Sequence, residues 1–234
     1  MHRFFVPKGE LPIIKGSDAH QIKDVLRMKV GDDLELLDGC GTIYSSKVLE
    51  IQKDKVVCDI LSNRTEEKAP KVKVTIAQCL PKAKKMDLII QKCTELGAAT
   101  IIPTLSERSI SKADKLERWK KIAKESAEQS GRSTIPEIYP LLKFKDVLKE
   151  SKNYDLALIP WELEQSNTLK NSLIFPDNPS LSLIFLIGPE GGFSQSEVNE
   201  ATTAGFKPVS LGKRILRTET AGMAMLAMLN YAYS

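Results

Sequence analysis

Glycines at the tip of an apolar run are the first sign of chemistry in this chain. The stretch LIGPEGGFSQSE, residues 186–197, sets Gly188, Pro189, Glu190, Gly191 and Gly192 directly after the run LSLIFLI. Parallel α/β sheets bind ligands beyond the carboxyl ends of their strands, and glycine lets a ligand reach backbone N–H and C=O groups without meeting a Cβ. Ser194 and Glu197 have the Ser-x-x-Glu spacing of a capping box, which predicts a helix starting at once. The bland alternative is a tight strand-to-helix turn. The spacing is neither GxGxxG nor GxxxxGK[ST], so dinucleotide and nucleoside triphosphate sites lack their fingerprint.

A second group lies in SLGKRILRTETAGMAML, residues 210–226. A strand, Gly212, a basic pair and an apolar pair lead to Arg217, Thr218 and Glu219 and then to a methionine-rich helix. Thr218 is placed to cap that helix, and Glu219 suits its positive end. Cap and core account for most of this segment, Met223, Met225 and Met228 included. Arg217, between a strand end and a helix start, is placed to meet an anionic substrate. A third group pairs Arg108, just after the strand ATIIP, with Glu125, Gln129 and Arg132, whose i, i+4, i+7 spacing puts them on one helical face. A solvated helix face explains that third pattern equally well.

Other chemistries are disfavoured. The two histidines, His2 and His20, leave little for a zinc site or a Ser–His–Asp triad, and Cys40, Cys58, Cys79 and Cys93 form no CxxC pair. All four read as free thiols in a reducing compartment, and no metal is expected. The start MHRFFVPKGE has too short an apolar run for a leader, and no stretch suits a membrane span, so the chain reads as cytoplasmic. The net charge of +4 is mild. Its excess is confined to residues 81–132, which suggests a polyanion such as nucleic acid.

At 234 residues, 42% hydrophobic and 27% charged, the chain suits one large or two modest globular domains. Residues 1–70 read as short strands, FFV, DLELLD, TIYSSKVLEI and KVVCDIL, with a turn at DGCG. One short helix interrupts them, capped by Ser17, with Ala19, Ile22, Val25 and Leu26 on its inner face. A small barrel fits. The polar SNRTEEKAP at 62–70 reads as the boundary. From Lys71 strands and helices alternate. The helix at KKMDLIIQKCTELG has Met86, Ile89, Ile90, Cys93 and Leu96 on one stripe and ends at Gly97; KLERWKKIAKESAEQS turns Leu116, Trp119, Ile122 and Ala123 inward. Wholly apolar strands between helices predict an α/β domain with a parallel sheet over residues 71–234.

Taken together, HRFFV, HQIKDVLRMKVGD, KMDLIIQKCTELGAATIIPTLSERS, AEQSGRSTIPEI, LIGPEGGFSQSEV and LGKRILRTETAGMAML resemble the RsmE-type methyltransferases of the SPOUT class. These methylate N3 of a uridine in 16S ribosomal RNA. The likeness runs nearly end to end. It implies a PUA-like β-barrel that binds RNA over residues 1–70 and an α/β methyltransferase domain over 71–234, with a parallel sheet and a C-terminal trefoil knot. The knot comes from the resemblance alone, since threaded chains are rare. The cofactor implied is S-adenosylmethionine, held largely by backbone groups of three loops. These are Ile159 and Pro160 in 159–162, then Leu186, Ile187, Gly188, Pro189, Glu190, Gly191 and Gly192, then Leu211, Gly212, Ile215, Leu216, Arg217 and Thr218. A homodimer is implied too, with the final helix as a candidate interface element.

On that resemblance Arg217 stabilises charge developing on the uracil or anchors the adjacent phosphate, and either Glu125 or Glu219 takes the N3 proton. RNA contacts fall to Arg3, Arg27, Lys82, Lys84, Lys85, Arg108, Gln129 and Arg132, mainly through phosphates. Two rivals stay open: a SPOUT enzyme acting on transfer RNA or a ribose 2′-OH, and a non-catalytic RNA-binding protein.

Overall fold

The computed structural model describes residues 1–65, 71–82, 85–110, 114–174 and 181–233. The chain forms two compact units, Met1–Ala69 with Ala127–Ile135, and Pro70–Ser126 with Pro136–Ser234.

In the first unit, β1 (His2–Phe5), β2 (Ile13–Lys15), α1 (Gly16–His20), β3 (Asp33–Leu37), β4 (Thr42–Ile51) and β5 (Lys55–Thr65) make a half-barrel sheet of order β1-β3-β4-β5-β2. Only β1 and β3 run parallel. Alternating residues of β3 to β5 point into a core with Phe4, Ile14, Ile22, Leu34, Leu36, Val48 and Val56. The DGCG turn forms as expected: Asp38 accepts from the N–H groups of Cys40 and Thr42, and Gly39 and Gly41 take positive φ.

Two details of the short helix differ from expectation. Ser17 lies inside α1 and caps nothing, Lys15 being the N-cap. Val25 is 67% exposed. The helix widens to a π-turn over Gln21–Val25, with Leu26 N–H donating to Gln21 C=O five residues back. That extra residue per turn carries Val25 off the stripe that 3.6 periodicity assigns it.

The boundary is also less simple than a single linker. The residues SNRT continue β5 and pair with β4, while 66–70 lie outside the described residues. Ala127–Ile135 groups with the first unit: Ala127 and Ile135 pack with Phe5, Leu37 and Ile43, and Glu128 accepts the Phe5 N–H.

The second unit runs β6 (Val72–Cys79), α2 (Lys85–Glu95), β7 (Thr100–Leu105), α3 (Leu116–Gln129), β8 (Glu137–Ile138), β9 (Leu142–Lys143), α4 (Phe144–Glu150), β10 (Leu156–Pro160), α5 (Leu169–Ser172), β11 (Leu181–Ile187), α6 (Gln195–Thr203), β12 (Lys207–Val209) and α7 (Thr218–Tyr233). The sheet order is β12-β10-β11-β6-β7-β8, with β9 beside β7. Every pairing in it is parallel. Strands β6, β10 and β11 are buried almost throughout, as both covered faces require. Helix α4 and the two short strands before it occupy a segment expected to be loop. Phe144, Val147 and Leu148 bury its inner face against Ile159, Ile184 and Phe193.

Candidate active site

The chain direction of a parallel sheet brings the carboxyl ends of β10, β11 and β12 to one edge, and the loops that leave them meet there. Residues 160–162, 187–193 and 210–218 line one cavity of about 530 Å³, joined by Lys85 and Ala221. Three glycines of one turn, Gly188, Gly191 and Gly192, line it. At Gly188 a Cβ would stand 3.3 Å from the Gly192 backbone; at Gly192, with φ +64°, it would stand 2.6 Å from Glu162 Oε1. A side chain at either position would crowd the turn, and the positive φ of Gly192 favours glycine there.

The turn is held from several directions. The capping box forms, with Ser194 accepting from Glu197 N–H and Glu197 accepting from Ser194 N–H. Glu197 also accepts the Glu107 N–H at 2.8 Å, and Ser194 Oγ donates to Glu107 Oε2. Arg108 Nη1 donates to the Gly191 carbonyl at 2.7 Å. Lys82 N–H donates to the Glu190 carboxylate, and Lys85 Nζ stands 3.1 Å from Glu190 Oε1 and 3.2 Å from Glu219 Oε2. Burial opposes ionisation of Glu190, but its own backbone N–H, the Lys85 ammonium and the Lys82 N–H outweigh it and hold the carboxyl below its usual range. Glu190 first, then Glu219, holds Lys85 above the usual lysine range against a smaller desolvation.

Thr218 binds the third loop to the second. Its hydroxyl accepts from Gln78 Nε2 at 2.9 Å and donates to the Gly188 carbonyl at 2.6 Å. The hydroxyl is therefore not the expected helix cap. Arg217 stands in that place, its carbonyl accepting the Ala221 N–H. A cation at the positive end of a helix is unfavourable by about 0.3–1 kcal/mol, so local electrostatics do not explain Arg217. Its side chain is exposed and lines the cavity.

Pro160, Ile187, Gly188, Pro189, Glu190, Gly191, Gly192, Leu211, Gly212, Ile215, Leu216, Arg217 and Thr218 all line the cavity. Ile159 and Leu186 do not: both side chains are fully buried in the core packed on one face of the sheet. Neither expected base lines it. Glu125 is 60% exposed on α3 and 3.8 Å from Lys121, and Glu219 is engaged by Lys85. The cavity's carboxylates are Glu162 and Glu190. Trp161, Phe193, Ser210, Lys213 and Arg214 also line it. The basic pair was visible in the sequence and Trp161 fell within the expected loop 159–162, whereas Phe193 lies just past the expected 186–192.

Several residues assigned to RNA have structural engagements. Arg3 Nε is 2.8 Å from the buried Glu35, which Arg64 also contacts, and Arg3 donates to the Gly131 carbonyl. Helix α3 ends at Gln129 and Gly131 turns the chain at φ +75°, so Arg132 leaves the face it was expected to share with Glu125 and Gln129. Lys82 and Gln129 are exposed. Exposed Arg27 takes φ +52°, the one positive φ of a non-glycine residue among the described residues. Lys84 lies outside the described residues. Among the described residues, no group of three or more His, Cys, Asp or Glu is arranged to hold a metal, and no helix is long and apolar enough to cross a membrane.

This site has relatives. The family described as RNA methyltransferase domain matches residues 67–230, and RNA methyltransferase PUA domain matches residues 14–61. The fold and these matches define the class: a two-unit RNA methyltransferase. The ribosomal RNA small subunit methyltransferase E of Bacillus subtilis (strain 168) is 36% identical, the alignment spanning 99% of this chain and 96% of that one. The enzyme of the same description from Neisseria gonorrhoeae, crystallised bound to S-adenosyl methionine, superimposes with a TM-score of 0.90 at 32% identity, covering 100% and 98% of the two chains. A putative methyltransferase from Legionella pneumophila in complex with the same cofactor gives 0.88 at 32%, covering 98% and 97%. The chain belongs to the ribosomal RNA small subunit methyltransferase E family.

Proposed function

We propose that this protein transfers a methyl group from S-adenosylmethionine to N3 of a uridine in 16S ribosomal RNA, acting on the small subunit or a late precursor. The observation that carries this reading is the convergence of the loops after β10, β11 and β12 on one cavity lined by Gly188, Gly191, Gly192 and Gly212. Relatives about one-third identical over nearly their whole length support the same chemistry. The cavity suits the donor. Loops 187–192 and 211–217 border the space an adenine and ribose would take in this reading, and Ile187, Leu211, Leu216 and Ala221 supply apolar walls. When bound, the donor supplies an electrophilic methyl on a sulfonium.

The chain then has two tasks, to position N3 and to favour its deprotonated form. Arg217, exposed and lining the cavity, supplies in this reading a cation for the negative charge that grows on the uracil oxygens. That cation lowers the cost of losing the N3 proton. With Glu219 engaged by Lys85 and Glu125 outside the cavity lining, solvent water or Glu162 accepts the proton in this reading.

A homodimer fits the exposure of Met228 and Tyr231 on α7, and light scattering tests it. The direct test of the reaction is methylation of small subunits that lack the modification, followed by mass spectrometry of the nucleosides. 3-Methyluridine in 16S RNA is the expected product. Methylated transfer RNA or a 2′-O-methyl product would overturn the N3 assignment.

A further inference from the structure

Lys85 belongs to none of the three loops, yet its side chain bridges the glycine turn and the start of α7. It starts α2, the helix after β6, and its ammonium reaches Glu190 of the glycine turn at 3.1 Å and Glu219 of α7 at 3.2 Å. Its side chain is one-third exposed and lines the cavity. A lysine meant for an RNA phosphate would present an uncommitted charge, whereas this one is already shared between two carboxylates. Nor is the arrangement a surface pair of the kind that contributes little, because both carboxylates are themselves mostly covered. Removal of the ammonium would leave the two carboxylates without the cation between them, with backbone N–H groups, its own and that of Lys82, left on Glu190.

We propose that Lys85 is a positioning residue of the cofactor cavity, its ammonium strapping the glycine turn to the start of α7 and so setting the gap that the methyl donor enters. This rests on the reading of the cavity as the S-adenosylmethionine site. The strap and a phosphate contact make opposite predictions. A strap acts on the donor, and loss of charge at Lys85 is partly repaired by removing one of the carboxylates it separates. A phosphate contact acts on RNA and lowers the salt slope of RNA binding by about one.

The test is calorimetry with S-adenosylmethionine on the wild type, Lys85→Met and the double variant Lys85→Met/Glu219→Gln, alongside RNA binding at several salt concentrations. Thermal melts accompany each variant. The expected result is donor affinity about tenfold weaker in Lys85→Met, recovery of part of that loss in the double variant, and an unchanged salt slope for RNA. In turnover assays the donor KM rises while kcat at saturation is largely kept. Wild-type donor binding with unchanged affinity in Lys85→Met, or a weaker RNA salt slope with normal donor affinity, overturns the strap alone. Equal weakening in the single and double variants overturns it too, since covering a gap rather than separating charges would explain the loss. No donor binding by the wild type overturns the cavity reading and the strap together.

Discussion

Thr218 Oγ donates to the carbonyl oxygen of Gly188 at 2.6 Å, fastening the start of α7 to a turn thirty residues earlier in the chain. The same hydroxyl accepts from Gln78, so one side chain joins β6, the glycine turn and the last loop. Thr218→Val keeps the shape and removes both bonds, leaving a buried amide and a carbonyl without this partner. Such losses cost about 1–3 kcal/mol, which a denaturant titration of the variant should register. Donor affinity should fall by about tenfold as the two loops lose their common anchor. Unchanged stability would mean the network is slack.

Arg217 should behave in the opposite way. It sits at the positive end of α7, so Arg217→Ala should leave the melting temperature the same or slightly raised. Turnover should fall by about a hundredfold or more, the scale of losing one preorganised charge-stabilising group, with S-adenosylmethionine affinity much less affected. Equal losses in turnover and donor affinity would reduce Arg217 to a cofactor contact.

Arg27 offers a second contrast between stability and function. Its φ of +52° is a conformation that glycine adopts freely and that costs other residues roughly 1 kcal/mol or more. Arg27→Gly should therefore stabilise the protein by about 0.5–1 kcal/mol in chemical denaturation. If the exposed guanidinium contacts RNA, the same variant should bind RNA more weakly. A variant that is more stable and binds RNA normally would remove Arg27 from the RNA surface.

Arg3 makes a different case, because its loss should be felt first in the fold. Burial of Glu35 opposes its ionisation, but Arg64 and Arg3 outweigh that and hold its carboxyl below the usual range. A lowered carboxylate pKa contributes stability that is present above the ordinary carboxylate range and is lost as pH falls through the lowered value. Arg3→Ala should cost about 2 kcal/mol at neutral pH, between the values for exposed and fully buried pairs, and less at pH 3. A pH-independent loss would show that packing, not charge, is at stake.

The cysteines give a simple solution check. Burial pushes Cys58 up to about 11 and Cys79 and Cys93 up to about 12, while Cys40 is exposed. At pH 8 a thiol reagent should modify Cys40 quickly and the other three only on unfolding. Fast reaction of more than one thiol would contradict the packing of β5, β6 and α2.

What the sequence made legible were features with a local cause. The run LSLIFLI had to be a buried strand, Ser194 and Glu197 marked the start of α6, and Gly97 marked the end of α2. The glycines after β11 left a ligand site and a plain strand-to-helix turn both open, and it was their company with the other loops that favoured the ligand. Features with a distant cause stayed hidden. Lys85 and Arg108 read as free cations until the fold set them against Glu190, Glu219 and the Gly191 carbonyl, many residues away. Val25 was misplaced by a single π-turn. The short helix α4 lacked a cap signal, its N-cap being Lys143.

The most direct test of the whole reading is a crystal structure of the protein grown with S-adenosylmethionine. The expected result is one donor per chain in the cavity between residues 187–193 and 211–218, its adenine on backbone groups and its methyl facing Arg217. Density for the donor at any other place, with that cavity empty, would contradict it.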